Sequence, residues 1–206
     1  MGVYNDRILP WLLHLAMKNR EVARLRARLV PTAAGRVLEI GIGSGLNLPF
    51  YGPAVTAVVG LDPSARLLEL AERAATAQPG PVLSLVRQSA EALPFAAGGF
   101  DTVVTTWTLC SIPDAPAALA EARRVLKPDG RLLFVEHGLA PTPRVRAWQD
   151  RLTPAWRRCA GGCHLNRPID RLIRDAGFAI PDLDSGYLVK GPRPMTYHYT
   201  GRAIRA

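Results

Sequence analysis

Two short stretches of this 206-residue chain carry residue types that could do chemistry. The first is VLEIGIGSG, residues 37–45, with Gly41, Gly43 and Gly45. Glycine lets a backbone turn sharply and approach a ligand closely. The pattern is G-x-G-x-G; Leu46 stands where a dinucleotide loop carries its third glycine, which disfavours a nicotinamide-dependent oxidoreductase. Asp62 lies 19 residues past Gly43, at the expected end of the next strand. A carboxylate there can accept two hydrogen bonds from a ribose diol, while Asp62-Pro63 also suits a helix start with Asp62 as N-cap. Glu39 is a carboxylate within an apolar strand, which is costly unless it faces a cationic ligand or reaches water at an edge. The second stretch is CAGGCHLNR, residues 159–167. A metal site needs about four ligands, and Cys159, Cys163 and His164 supply at most three, so no metal ligands are expected. The alternatives are a plain capped turn or a loop lining a substrate. In the latter, Gly161 and Gly162 form a hinge, Asn166 caps the next helix and Arg167 faces an anion.

These residues need a scaffold. A strand is expected at 36–40, ending in the glycine loop, and a second at 54–62. A helix follows over 64–77, then strands at 81–88 and 99–108, the latter rich in β-branched residues. Residues 114–126 read as a helix opened by Asp114, and 130–138 as a fifth strand. The stretch 140–166 is basic and punctuated by proline, and no element is assigned to it. Residues 167–178 form a helix stopped by Gly177, and strands are expected at 180–190 and 195–204. Alternating β and α units imply an α/β fold: a doubly wound, Rossmann-like, mostly parallel sheet of about seven strands with an antiparallel last strand. Such sheets bind ligands at the carboxyl ends of their strands. His137 ends the fifth strand at that edge, as a base, as a group orienting a nucleophile, or as a structural histidine bonded to backbone. Trp107, Cys110 and Ser111 follow the fourth strand and should line a pocket, although Cys110 also suits simple buried packing.

Composition bounds the setting. The 26 Lys and Arg against 17 Asp and Glu give a formal charge of +9, which suits an acidic partner or simply a basic surface. Three cysteines imply no disulfide framework and a cytoplasmic, reducing compartment. The apolar run Ile8–Met17 is half the roughly 20 residues a spanning helix needs, and no small-residue cleavage site follows it. It is expected to pack over the core or active site, with peripheral contact to an anionic membrane as the alternative. No N-P-P-[YF]-type tetrapeptide follows the fourth strand, so nucleic acid is not expected as a partner.

VLEIGIGSG, GLDPS, SAEALPFAAGGFDTVV and EARRVLKPDGRLLFVEH together resemble the class I methyltransferases that use S-adenosylmethionine. Further stretches, LNLPFY, TLCSIPD, FVEHG and DRLTPAWRRCAGGCHLNR, resemble the small alkyl-thiol methyltransferases. The resemblance implies S-adenosylmethionine as cofactor, its methionine part in the glycine loop, its ribose on Asp62 and its adenine against QSAEALPF. Relatives often carry Asp at the Ser89 position, so backbone groups of Ala90 and Glu91 are expected to carry more of the adenine contact. The expected cofactor set is Glu39, Gly41, Gly43, Asp62, Pro63, Ser89, Ala90, Glu91 and Thr106. The expected acceptor wall is Trp107, Cys110, Ser111 and Cys163, with His137 and Arg167 in catalysis. The expected organisation is a single domain, with a helical cap over 1–34, a cofactor-binding core over 35–138, and a substrate cover with C-terminal strands over 139–206. The implied reaction is methylation of a small molecule, a thiol in first place. A phospholipid amine is the alternative acceptor, and a non-catalytic cofactor-binding module is a further one.

Overall fold

The computed structural model describes residues 8–77 and 80–206. Among the described residues seven strands form one sheet: β1 (Gly35–Ile40), β2 (Val55–Leu61), β3 (Val82–Val86), β4 (Phe100–Thr106), β5 (Leu126–His137), β6 (Phe178–Tyr187) and β7 (Tyr197–Arg205). Their order is β3-β2-β1-β4-β5-β7-β6. The first five pair in parallel, and β7 inserts antiparallel to both β5 and β6.

The inner strands are buried on both faces, so they read as apolar runs and their adjacent residues point to opposite layers. Leu38, Val103 and Leu132 join one cluster while Val37, Val104 and Leu133 join the other. The first layer is closed by α4 (Ala115–Val125), which buries Ala118, Leu119 and Ala122, and by α6 (Ile169–Asp175), which buries Ile169 and Ile173. The second is closed by α2 (Arg20–Leu29), which buries Leu25 and Leu29. The Asn19 side chain caps α2 by accepting from Glu21 and Val22 N–H, and Asp114 caps α4 by accepting from Ala117 N–H.

Several local expectations are corrected. Ser64, not Asp62, caps α3 (Ala65–Thr76), accepting from Leu67 N–H. The unassigned stretch holds a 17-residue helix, α5 (Pro143–Cys159), with Pro154 inside it. Proline at a first turn is tolerated, but an interior proline removes a helical hydrogen bond, so the local signal there is weak. Burial of Val145, Gln149 and Thr153 on one face supplies what propensity lacks. Asn166 does not cap α6; its amide donates to Asp150 Oδ1 at 2.7 Å. The ninth to seventeenth residues form α1 (Leu9–Met17). Among the described residues no helix is long and apolar enough to cross a membrane.

Candidate active site

The strand order reverses between β1 and β4, and a cavity of about 710 Å³ opens at the carboxyl ends there. Gly41, Gly43, Asp62, Pro63, Ser89, Ala90, Glu91, Thr106, Trp107, Cys110, Ser111, His137 and Cys163 all border it. Glu39 and Arg167 do not.

The wall on the glycine-loop side is built from local sequence. After β1 the backbone turns through Gly41 (φ +70°) and Gly43 (φ +57°), a region that penalises any residue with a Cβ. A Cβ at Gly43 would meet nothing closer than the Gly41 carbonyl at 3.9 Å, so that position faces open space. Asp62 sits beside the loop, its Oδ2 accepting from Gly43 N–H at 3.1 Å and its Oδ1 from Ser64 N–H at 2.8 Å. Burial raises its pKa and these two N–H groups oppose the rise. Glu91 Oε1 accepts from Asp114 N–H at 3.1 Å, and its other oxygen meets the Ser89 hydroxyl. Helix α1 lies across this wall, and His14 Nδ1 is 2.7 Å from Ser44 Oγ.

Glu39 is placed behind the loop, not in it. Its carboxylate is 1% exposed and accepts from Asn47 Nδ2 at 2.8 Å and Tyr51 OH at 2.7 Å. Asn47 Nδ2 also donates to Thr106 Oγ1 at 3.0 Å, so Glu39 ties the glycine loop to the end of β4. Burial pushes the Glu39 carboxyl up to about 7, against the pull of Tyr51, Asn47 and nearby Arg26. No ligand is needed to satisfy it.

The opposite wall comes from distant segments. Trp107 has φ +52°, which a non-glycine residue adopts only under constraint. Its N–H donates to Val135 O at 2.7 Å, and the Arg26 guanidinium lies 4.8 Å from its ring centroid. The turn beyond it is fastened by Glu136, fully buried, which accepts from Thr105 Oγ1, Thr108 N–H and Cys110 N–H at 2.8, 3.0 and 3.3 Å. Burial pushes the Glu136 carboxyl up to about 7 against those donors. Arg167 also belongs to this turn. It donates to the carbonyls of Leu109, Ile112 and Pro113, the last two at 2.6 and 3.4 Å. Those contacts leave it a positioning residue, not an anion-facing one.

The turn Gly161–Cys163 after α5 returns to the same place. His164 N–H donates to Cys110 O at 2.8 Å, and Cys163 Sγ lies 3.5 Å from Cys110 Sγ and 3.8 Å from His137 Nδ1. The neighbouring Cys110 thiol and His137 hold Cys163 below the usual thiol range, while Cys110 is pushed above it. His137 Nε2 is 3.5 Å from Pro194 O, and the ring meets His198 edge-on at 5.9 Å. Burial pushes His198 down to about 4. Gln149, wholly buried on α5, donates to Gly138 O at 3.0 Å and Pro194 O at 3.1 Å, stitching α5 to the end of β5. Asn47, Glu136, Gln149, Trp156 and His198 were not singled out from sequence. Only Glu136, a carboxylate closing the apolar run LLFV, carries a local signal; the others stand in mixed sequence.

Residues 38–134 match a family model described as a methyltransferase domain. The chain is 31% identical over 181 residues to the human thiol S-methyltransferase TMT1A, covering 86% of this chain and 71% of that protein. It is 36% identical over 121 residues to a phosphatidylethanolamine N-methyltransferase of Cereibacter sphaeroides, covering 58% and 57%. The fold superposes on an S-adenosylmethionine-dependent methyltransferase of Thermotoga maritima, a possible histamine N-methyltransferase. The TM-score is 0.72, with 20% identity and full coverage of both chains.

Proposed function

We propose that this chain, which belongs to the S-adenosylmethionine-dependent methyltransferases, methylates the sulfur of a small thiol. The residues fit the cofactor on structural grounds: Gly43 faces open space beside Asp62, and the cavity is large enough for a ligand of that size. Gly41, Gly43 and Asp62 would hold its amino-acid and ribose parts, with Pro63, Ser89, Ala90 and Glu91 bordering the adenine. When bound, the cofactor supplies an electrophilic methyl on a sulfonium.

The chain's own residues then align the acceptor and keep water out. That methyl would pass to the acceptor sulfur, the cofactor leaving as the neutral thioether and the thiol proton going to solvent. Trp107, Cys110, Ser111 and Cys163 wall the acceptor, His137 orients it, and Arg167 holds the turn that carries Cys110.

The observation that carries the thiol reading is the distribution of charge. Among the described residues, the only carboxylates bordering the cavity are Asp62 and Glu91, both on the cofactor side. The acceptor side offers sulfur, imidazole and apolar groups. An ammonium acceptor would meet no carboxylate on that side and would be strongly desolvated, whereas a thiol is soft and ionises more readily than an alcohol. A screen with labelled cofactor over small thiols, phosphatidylethanolamine vesicles and phenols tests this. Label transfer to thiols is expected, and transfer confined to the amine lipid would overturn the reading.

A lipid surface as the source of an apolar acceptor has one observation of its own. Helix α1 borders the cavity yet exposes Ile8, Trp11, Leu12 and Leu15 to solvent. We infer peripheral membrane contact of a cytoplasmic protein through that face. This face is also what favours the phospholipid amine as the second choice of acceptor.

A further inference from the structure

Cys110, His137 and Cys163 come from three separate segments: the turn after β4, the last residue of β5 and the Gly-Gly turn after α5. Their ligand atoms all lie within 4.8 Å of one another. We propose that Cys110 Sγ, His137 Nδ1 and Cys163 Sγ form a zinc-binding site with three protein ligands and a fourth position open to the acceptor side of the cavity. Tetrahedral zinc, with Zn–S near 2.3 Å and Zn–N near 2.0–2.1 Å, has ligand–ligand edges of about 3.5–3.8 Å. The Sγ–Sγ separation is 3.5 Å and the Cys163 Sγ–His137 Nδ1 separation 3.8 Å.

The surroundings are those a ligating set requires. A histidine ligand is oriented by a partner on its other nitrogen. His137 Nε2 faces Pro194 O at 3.5 Å, and Gln149 Nε2 holds that same carbonyl at 3.1 Å. This directs an Nε2–H at the carbonyl and leaves the Nδ1 lone pair for a cation. The Trp156 indole N–H is buried with no nitrogen or oxygen partner and lies against Cys163, where a thiolate would accept from it. The two cysteine-bearing turns are fastened by Arg167 and by His164 N–H, so the ligands are preorganised.

The charge also balances. Binding expels both thiol protons to solvent, and a dication with two thiolates and a neutral imidazole is net neutral, which suits a largely apolar cavity. Three protein ligands and one exchangeable position are the arrangement of zinc sites that act on a ligand. All three residues border the cavity, so that position faces where the acceptor enters. Resting on the thiol reading above, the acceptor's thiolate would be the fourth ligand, held beside the methyl.

The test is to load reduced, full-length protein with cobalt(II) in place of zinc. Stoichiometric uptake is expected, with intense tetrahedral d–d bands and thiolate-to-cobalt charge transfer. Cys163→Ser and His137→Ala should each lower cobalt affinity at least roughly tenfold and weaken or lose these bands. Zinc should protect Cys110 and Cys163 from alkylation while the exposed Cys159 still reacts. If Cys110→Ala does not fold, the half-buried Cys163→Ser and the wild-type protection pattern decide. Absent uptake, or a spectrum indifferent to Cys163→Ser, would overturn the site. A Cys110–Cys163 disulfide surviving in protein prepared with reductant and zinc would do the same. Small thiols should shift the cobalt bands. Cobalt binding that ignores thiols, with methyl transfer to an amine, would overturn the thiol reading and leave the site standing. Thiol turnover by metal-free protein that takes up no cobalt would overturn the site and leave the thiol reading standing.

Discussion

Asp62 and Glu39 are both buried carboxylates near the glycine loop, yet their neighbours give them different work. Asp62 borders the cavity and accepts one backbone N–H on each oxygen, so hydroxyls of a ligand would share oxygens already turned toward it. Asp62→Ala is expected to weaken S-adenosylmethionine binding by about 1.5–3 kcal/mol, the range for losing hydrogen bonds to a charged group. Calorimetric titration of folded mutant with unchanged affinity would reduce Asp62 to a loop brace. Glu39 meets only protein, and burial pushes its carboxyl up from the ordinary 4.5 to about 7. A carboxyl that binds its proton more tightly when folded contributes most stability below about pH 4.5. That contribution falls as pH rises and is lost above 7, a change of about 3 kcal/mol. Glu39→Gln removes the titration, and its amide can meet Asn47 Oδ1, a buried acceptor without a partner. Urea midpoints at pH 5 and 8 should therefore differ less in Glu39→Gln than in wild type, by an amount of that order. An identical pH dependence in the two proteins would mean that Glu39 is already ionised at pH 5.

At the scale of elements, α1 is the part held most lightly. It buries only Leu9 and Pro10, and its polar links are the His14–Ser44 contact and the Met17 carbonyl, which accepts from Arg26 Nη1 at 2.8 Å. It nevertheless borders both halves of the cavity, through His14 at the glycine loop and Leu13 near Gly161. Removing residues 1–17 should speed cofactor release roughly tenfold and lower turnover, as opening a lid does. The melting temperature should change little, since few buried contacts go with it. Stopped-flow displacement and thermal denaturation check this pair; a collapse of the melting temperature would make α1 part of the core. Legibility follows the same contrast. The strands β1, β2 and β4 and the helices α3 and α4 stood out because apolar periodicity and caps lie within each segment. Helix α5 did not, because Pro154 contradicts it locally and only burial of Gln149 and its neighbours restores it. Asn166 was assigned a capping role that the side chain of Asp150 draws away.

For the whole molecule, the membrane contact proposed for α1 would draw on both the +9 charge and its exposed apolar face. Vesicles with anionic lipid should bind the protein at low ionic strength and release it as salt screens the charges. Trp11→Ala and Leu15→Ala should weaken that binding without altering thiol turnover in solution, checked by sedimentation with vesicles. Salt-independent binding, or none, would leave α1 as a lid alone.

The α/β architecture and the glycine-loop side of the cavity were readable in the sequence because their determinants sit next to each other in the chain. A strand, three glycines and a carboxylate one strand later place themselves whatever the rest does. The opposite side of the cavity was decided by tertiary structure. Strand β7 slips antiparallel between β5 and β6 and sets His198 opposite His137. Glu136 and Arg167 gather the turn that carries Cys110, and α5 brings Cys163 back to it. The motif CAGGCHLNR suggested Cys159, Cys163 and His164 as neighbours, but helix geometry leaves Cys159 exposed while His164 turns to the Cys110 carbonyl. Which thiol meets which imidazole depends on burial and hydrogen bonds between segments far apart in the chain, and no local spacing encodes that.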